Sequence, residues 1–144
     1  METNRCTFLL TYSDEQAIRE IYLKPFETCV KNFTGGALAV MSSFNWIGTR
    51  YSGSNSYLLN NVLRSEWGYQ GMVLTDWDGS YGYQITDDCV RNGNDAMLGF
   101  NSYESNVLTD RDSATLTRAL RQASKNIMYT IVNNSRIMGN LILL

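Results

Sequence analysis

A chain of 144 residues is long enough for one ordinary domain and too short for most pairs of domains. An apolar content of 44%, a charged content of 18% and a net charge of −2 fit a soluble globular chain, and with only three scattered lysines they exclude the clustered basic face that nucleic acid requires. Histidine is absent, which removes the commonest zinc ligand and the usual near-neutral base, so chemistry here runs on carboxylates, hydroxyls, arginines or thiols. Cys6, Cys29 and Cys89 are odd in number and lack paired metal spacing, so reduced thiols are expected. No basic stretch followed by an apolar core opens the chain, and no apolar run reaches membrane-spanning length. A cytoplasmic protein without membrane or nucleic-acid partners is therefore expected.

Residues 2–12 show no clear period. Ser13 is expected to cap a helix whose first turn carries Asp14 and Glu15. Ile18, Ile21, Tyr22, Phe26, Cys29 and Val30 follow at three-and-four spacing and predict one buried stripe, which Pro25 should kink or break. After the glycines at 35 and 36, residues 37–41 read as a buried strand, and a long Gly/Ser/Asn loop runs through Ser54. Residues 56–65 predict a short helix with Leu58, Leu59, Val62 and Leu63 facing inward.

Met72, Val73 and Leu74 form an apolar run without alternation, bracketed by glycine, which predicts a strand covered on both faces. Asp76 and Trp77 follow at once. An acid at the carboxyl end of such a strand is where α/β enzymes keep their chemistry, and an adjoining indole offers a flat apolar face to a sugar ring. The same Asp also suits a turn or a helix cap. An aromatic, glycine-bearing loop comes next, then a helix over 85–91 and a third short strand over 95–98. Asp95, at that strand's start, reads as a brace for backbone. Ser113 is expected to cap a last helix striped by Leu116, Leu120, Ala123, Ile127 and Ile131. Helices and strands thus alternate, which predicts an α/β fold with parallel strands.

The wording of residues 59–77, LNNVLRSEWGYQGMVLTDW, resembles the signature of glycoside hydrolase family 3, in which a leucine-rich helix leads into EWGF.G.V.(S/T)DW. AVMSSFN over 39–45 is similar to the family's VM.SYN strand. Residues 16–26 resemble its inter-strand helix, 2–5 the tail of its KHF.....E.NR segment, and 91–98 its AG.D..M strand.

The resemblance implies a single partial domain over 1–144, comprising about the last three βα units of a (β/α)8 TIM barrel in the β-glucosidase-like branch of the family. It implies that Asp76 is the nucleophile of retaining hydrolysis of a terminal β-linked glucoside or oligosaccharide. By the same resemblance Arg5 binds sugar hydroxyls and Trp77 packs on the ring. Phe44 stands where many members carry tyrosine, which deletes a hydroxyl near the nucleophile. Arg5 also reads as a solvated terminal residue, and Trp77 as core filling. No metal or organic cofactor is implied. The family's Lys-His pair would fall just before Met1, and the first five strands and the acid/base sandwich domain outside this chain. The expectation is a fragment inactive alone; the alternative is a non-catalytic remnant that binds sugar or a complementary polypeptide.

Overall fold

The structure, a computed structural model, describes residues 10–32, 36–77, 83–99 and 107–142, with side chains as far as Asn134. Chain order is β1 (Leu10–Thr11), α1 (Glu15–Ala17), a π-wound turn (Ile18–Tyr22), α2 (Lys24–Val30), β2 (Ala39–Met41), β3 (Trp46–Ile47), β4 (Arg50–Tyr51), α3 (Tyr57–Glu66, itself π-wound), β5 (Met72–Trp77), α4 (Thr86–Arg91), β6 (Ala96–Leu98) and α5 (Ala114–Ile142). Strands β2, β5 and β6 make one sheet, all parallel, with β5 in the centre. The expected α/β alternation and parallel pairing are therefore present. Strands β1, β3 and β4 form a second small sheet, where the sequence pattern predicts irregular chain and loop. Its hairpin turns at Gly48, whose φ of +58° suits glycine at the first turn position.

Asp14, and not Ser13, caps the first helix: its carboxylate accepts the Ala17 N–H at 2.7 Å. The helix then breaks as Pro25 requires. The Leu23 N–H donates to the Ile18 carbonyl five residues back, at 2.8 Å, and Pro25 sits in the first turn of α2, where its missing N–H has no helical partner to lose. The single buried stripe expected for this segment does not exist. Ile21, Tyr22 and Phe26 are all more than half exposed, and none of residues 15–30 is buried. The π turn carries an extra residue, which rotates everything after it by about 100° and splits the stripe. Tyr22, Leu23 and Phe26 instead line one side of an apolar cleft of about 290 Å³ facing Val40, Leu58 and Trp67.

Helix α3 behaves as its pattern requires. Leu59, Val62 and Leu63 are buried, and Leu59 and Leu63 join Tyr69 and Val73 in the main core. Strand β2 departs from expectation, because Ala39 and Met41 are exposed and Val40 only half-buried: β2 is an edge strand. Strand β5 alternates after all. Val73 and Thr75 are wholly buried, whereas Met72, Leu74 and Asp76 are half-buried on the other face. One face of the sheet is covered by helices, so the unbroken apolar run reflects a central strand but not two sealed faces.

Ser113 caps α5, accepting the Leu116 N–H at 3.5 Å, and Leu116 and Ala123 are buried as expected. Ile131 is exposed, and the inward positions there belong to Asn126 and Thr130. The reason is polar: α5 crosses the amino ends of β2 and β5, where backbone groups need partners. The Thr130 hydroxyl accepts the Met72 N–H at 2.9 Å and lies 2.8 Å from the Leu38 carbonyl. Among the described residues no helix is long and apolar enough to cross a membrane.

Candidate active site

The two ends of the β2-β5-β6 sheet differ in chemistry. At the amino end Asp95, just before β6, is held by four groups. Its Oδ2 accepts the Val73 N–H at 2.7 Å and Arg64 Nη2 at 2.6 Å, its Oδ1 accepts Asn126 Nδ2 at 2.8 Å, and its own N–H donates to the Val73 carbonyl at 2.8 Å. Arg64 also donates to the Gly71 and Gly93 carbonyls, at 3.0 and 3.2 Å. Burial pushes the Asp95 carboxyl above its ordinary value, opposed by Arg64, the Val73 amide and Asn126. Both carboxylate oxygens are committed to the fold, so Asp95 is a brace, as its position at a strand start suggested.

At the carboxyl end stands Asp76, the fifth residue of β5, half-buried and on the face shared with Met72 and Leu74. Its Oδ1 accepts the Trp77 N–H at 2.7 Å, and among the described residues its Oδ2 takes no hydrogen bond. Strand β5 bulges here: Leu74 pairs with Ala96 but Trp77 with Leu98, three steps against two. Bulges re-aim side chains and concentrate beside active sites. Trp77 is 41% exposed, which argues against core filling as its role.

The neighbouring rim comes from the chain leaving β2. Met41 pairs with Leu74, and the Ser42 N–H donates to the Leu74 carbonyl at 2.8 Å, so residues 42–45 leave the sheet on the same rim as Asp76. Phe44 is buried on this rim. Ser43 and Ser52 share a hydrogen bond of 3.0 Å, and Asn94 donates to the Ser42 hydroxyl and the Gly53 carbonyl, both at 3.1 Å. Below, Tyr51 packs edge-on against Tyr83, which packs edge-on against Trp46, and Gln84 donates to the Tyr51 hydroxyl at 3.0 Å. Burial raises the Tyr51 phenol well above its usual value, so it stays protonated. These aromatics pack on one another, with Tyr51 and Tyr83 buried together with Cys89. Arg5, Asp78 and Tyr81 lie outside the described residues.

Arg64, Asn94 and Asn126 were not singled out from sequence. No local signal marks them: Arg64 opens the polar run Arg64-Ser65-Glu66, Asn94 stands between Gly93 and Asp95, and Asn126 follows Ser124 and Lys125, so each reads as an ordinary polar position until the fold buries it. Among the described residues no group of three or more acids and cysteines is placed to hold a metal ion.

A parallel sheet with helices on one face, braced at its amino end and carrying a carboxylate and an exposed indole at its carboxyl end, is the frame on which α/β enzymes mount their chemistry. Comparison with known proteins narrows this class. The chain belongs to glycosyl hydrolase family 3, since residues 5–97 match the model of the family's N-terminal domain. It is 32% identical over 132 residues to Beta-glucosidase B of Emericella nidulans, an alignment covering 88% of this chain and 15% of that protein. The solved GH3 beta-glucosidase of Bifidobacterium adolescentis superposes with a TM-score of 0.77 at 28% identity, covering 94% of this chain and 19% of that one. Beta-glucosidase 3B of Thermotoga neapolitana, solved with alpha-D-glucose, superposes with a TM-score of 0.75 at 28% identity over 90% of this chain and 19% of that one. The chain thus spans under a fifth of the length of the relatives it matches.

Proposed function

We propose that this chain carries the nucleophile strand of a retaining β-glucosidase-type hydrolase, with Asp76 as the nucleophile and a terminal β-linked glucoside as substrate. The observation that carries the reading is the pairing of a half-buried Asp76, one oxygen tied by the Trp77 N–H and the other without a hydrogen bond among the described residues, with an exposed indole at the carboxyl end of the central parallel strand. In this reading the three parallel strands are the last three of a (β/α)8 barrel, where that rim is the catalytic one.

Asp76 Oδ2 attacks the anomeric carbon, the bond to the leaving oxygen breaks, and that oxygen takes a proton from a general acid. Water then attacks the glycosyl ester and releases Asp76 as carboxylate, with the configuration retained. In this reading the acid/base belongs to a part of the enzyme beyond the present 144 residues, and Arg5 and Trp77 hold the reacting ring. Losing a general acid removes typically 10²–10⁴-fold in rate, so the isolated chain turns over ordinary glucosides poorly.

An activated fluoroglucoside tests the assignment, because its leaving group departs without an acid. Incubation with 2,4-dinitrophenyl 2-deoxy-2-fluoro-β-glucoside is expected to add one fluoroglucosyl group to the peptide containing Asp76. The same chain is expected to show no robust hydrolysis of nitrophenyl β-glucoside. Robust turnover lost in Asp76→Ala overturns the fragment reading, and label on another residue overturns the nucleophile.

A second reading is favoured by one observation: Tyr22, Phe26 and Met41 are exposed around one cleft beside the edge strand β2, an apolar surface suited to a complementary polypeptide. Glucose binding that depends on Trp77, without any labelling of Asp76, favours this non-catalytic role.

A further inference from the structure

Resting on the reading of Asp76 as nucleophile, we infer that Thr75 is the positioning residue that aims it. The argument begins with register. Between the Leu74–Ala96 and Trp77–Leu98 pairs β5 has one residue more than β6, and that extra residue falls within Thr75–Asp76. A bulge leaves its extra residue unpaired, disrupts the ladder locally and turns the bulged strand. Here a side chain joins the contact between the two strands: the Leu98 N–H donates to Thr75 Oγ1 at 3.0 Å.

Thr75 is wholly buried, so it touches no substrate and acts only through its neighbour. Its branched Cβ limits rotation about χ1, which makes the hydroxyl a stiff strut. On the far side of β5 the Ser42 N–H holds the Leu74 carbonyl at 2.8 Å, and just beyond the bulge the Trp77 N–H holds Asp76 Oδ1 at 2.7 Å. The residue that swings out of the ladder is therefore pinned before, across and after, and the direction of Oδ2 follows. Removing the Thr75 hydroxyl releases the pin to β6 and lets the bulge redistribute.

The test compares Thr75→Val and Thr75→Ser with the parent in the fluoroglucoside reaction, following the rate at saturating reagent and the half-saturating concentration separately. Valine keeps the shape and lacks the acceptor; serine keeps the acceptor. A misplacement of about 1 Å is worth up to about 10²-fold, so valine is expected to lower the saturating rate about tenfold to a hundredfold with little change in half-saturation, and serine to restore it. Exchange of the Leu98 amide proton is expected to quicken in valine and not in serine. If the valine variant does not fold, Thr75→Ala supplies the same comparison without crowding. Labelling by the hydroxyl-free variant at the parental rate, or serine as slow as valine, overturns the assignment of Thr75 alone. Absence of label in the parent overturns the nucleophile reading and this inference with it.

Discussion

The buried brace at the amino end of the sheet offers a quantitative test of the fold. Asp95→Ala removes an acceptor from Arg64, the Val73 N–H and Asn126 together, at a site where the Asp95 side chain is 2% and the Arg64 side chain 14% accessible. Breaking a buried ion pair from one side typically costs 3–5 kcal/mol. Arg64 keeps the Gly71 and Gly93 carbonyls, so the low end applies, about 3 kcal/mol or about a hundredfold in the folding equilibrium. Urea unfolding followed by circular dichroism reads this as a midpoint lowered by about 1.5 M, taking a slope of about 2 kcal/mol per molar. Asp95→Asn keeps an acceptor for Val73 and is expected to lose about half as much. Replacing both partners, Arg64→Met with Asp95→Leu, is expected to cost less than Asp95→Ala, because no charge is left stranded. A loss below about 1 kcal/mol for the alanine variant, or a double variant worse than the single, refutes the argument that burial makes this pair matter.

Other outcomes follow from single contacts. A Cβ on Gly71 would fall on the Leu38 carbonyl oxygen, so Gly71→Ala is expected to push β2 from β5 and lower stability by about 3 kcal/mol in the same unfolding assay. Thr130→Val leaves the Leu38 carbonyl without the hydroxyl and is expected to cost about 1–2 kcal/mol, with exchange of the Met72 amide as a local readout. Asp87 accepts from the Thr109 hydroxyl and from the Thr109 and Asp110 amides, which together lower its pKa, the hydroxyl foremost. The attachment of residues 107–110 to α4 is thus complete above the unfolded carboxylate value of about 3.9 and is lost as pH falls through the lower native value. The Thr109 and Asp110 amide resonances are expected to titrate together there, and to stop doing so in Asp87→Asn.

What could be read from residues alone depended on whether the signal was local. The run from Met72 to Asp76 marks a central strand by composition, and Leu59, Val62 and Leu63 mark α3 by spacing; both are properties of a few consecutive residues. The stripe over residues 18–30 failed because a five-residue backbone bond at Leu23 breaks the angular arithmetic that spacing assumes. Ile131 was misplaced because α5 meets strand ends there, and exposed peptide groups select Asn126 and Thr130 over hydrocarbon. The β3–β4 hairpin hid inside a Gly/Ser/Asn stretch, although Gly48 and Thr49 stand between pairs that suit strands. Of the candidate site, Asp76 and Phe44 do share one rim, since β2 and β5 are parallel and in register there. Resemblance marked that rim, and parallel register explains why the carboxyl ends of both strands open onto it. The partners of Asp95 come from three elements far apart in the chain, and nothing local announces such a cluster.

The measurement that bears most directly on the whole account is the site of covalent capture by an activated 2-fluoro-β-glucoside, read by peptide mass spectrometry. The account predicts one fluoroglucosyl group on Asp76, absent in Asp76→Ala and slowed in Thr75→Val. Capture at another carboxylate, or a folded chain that takes no label at any reagent concentration, contradicts it.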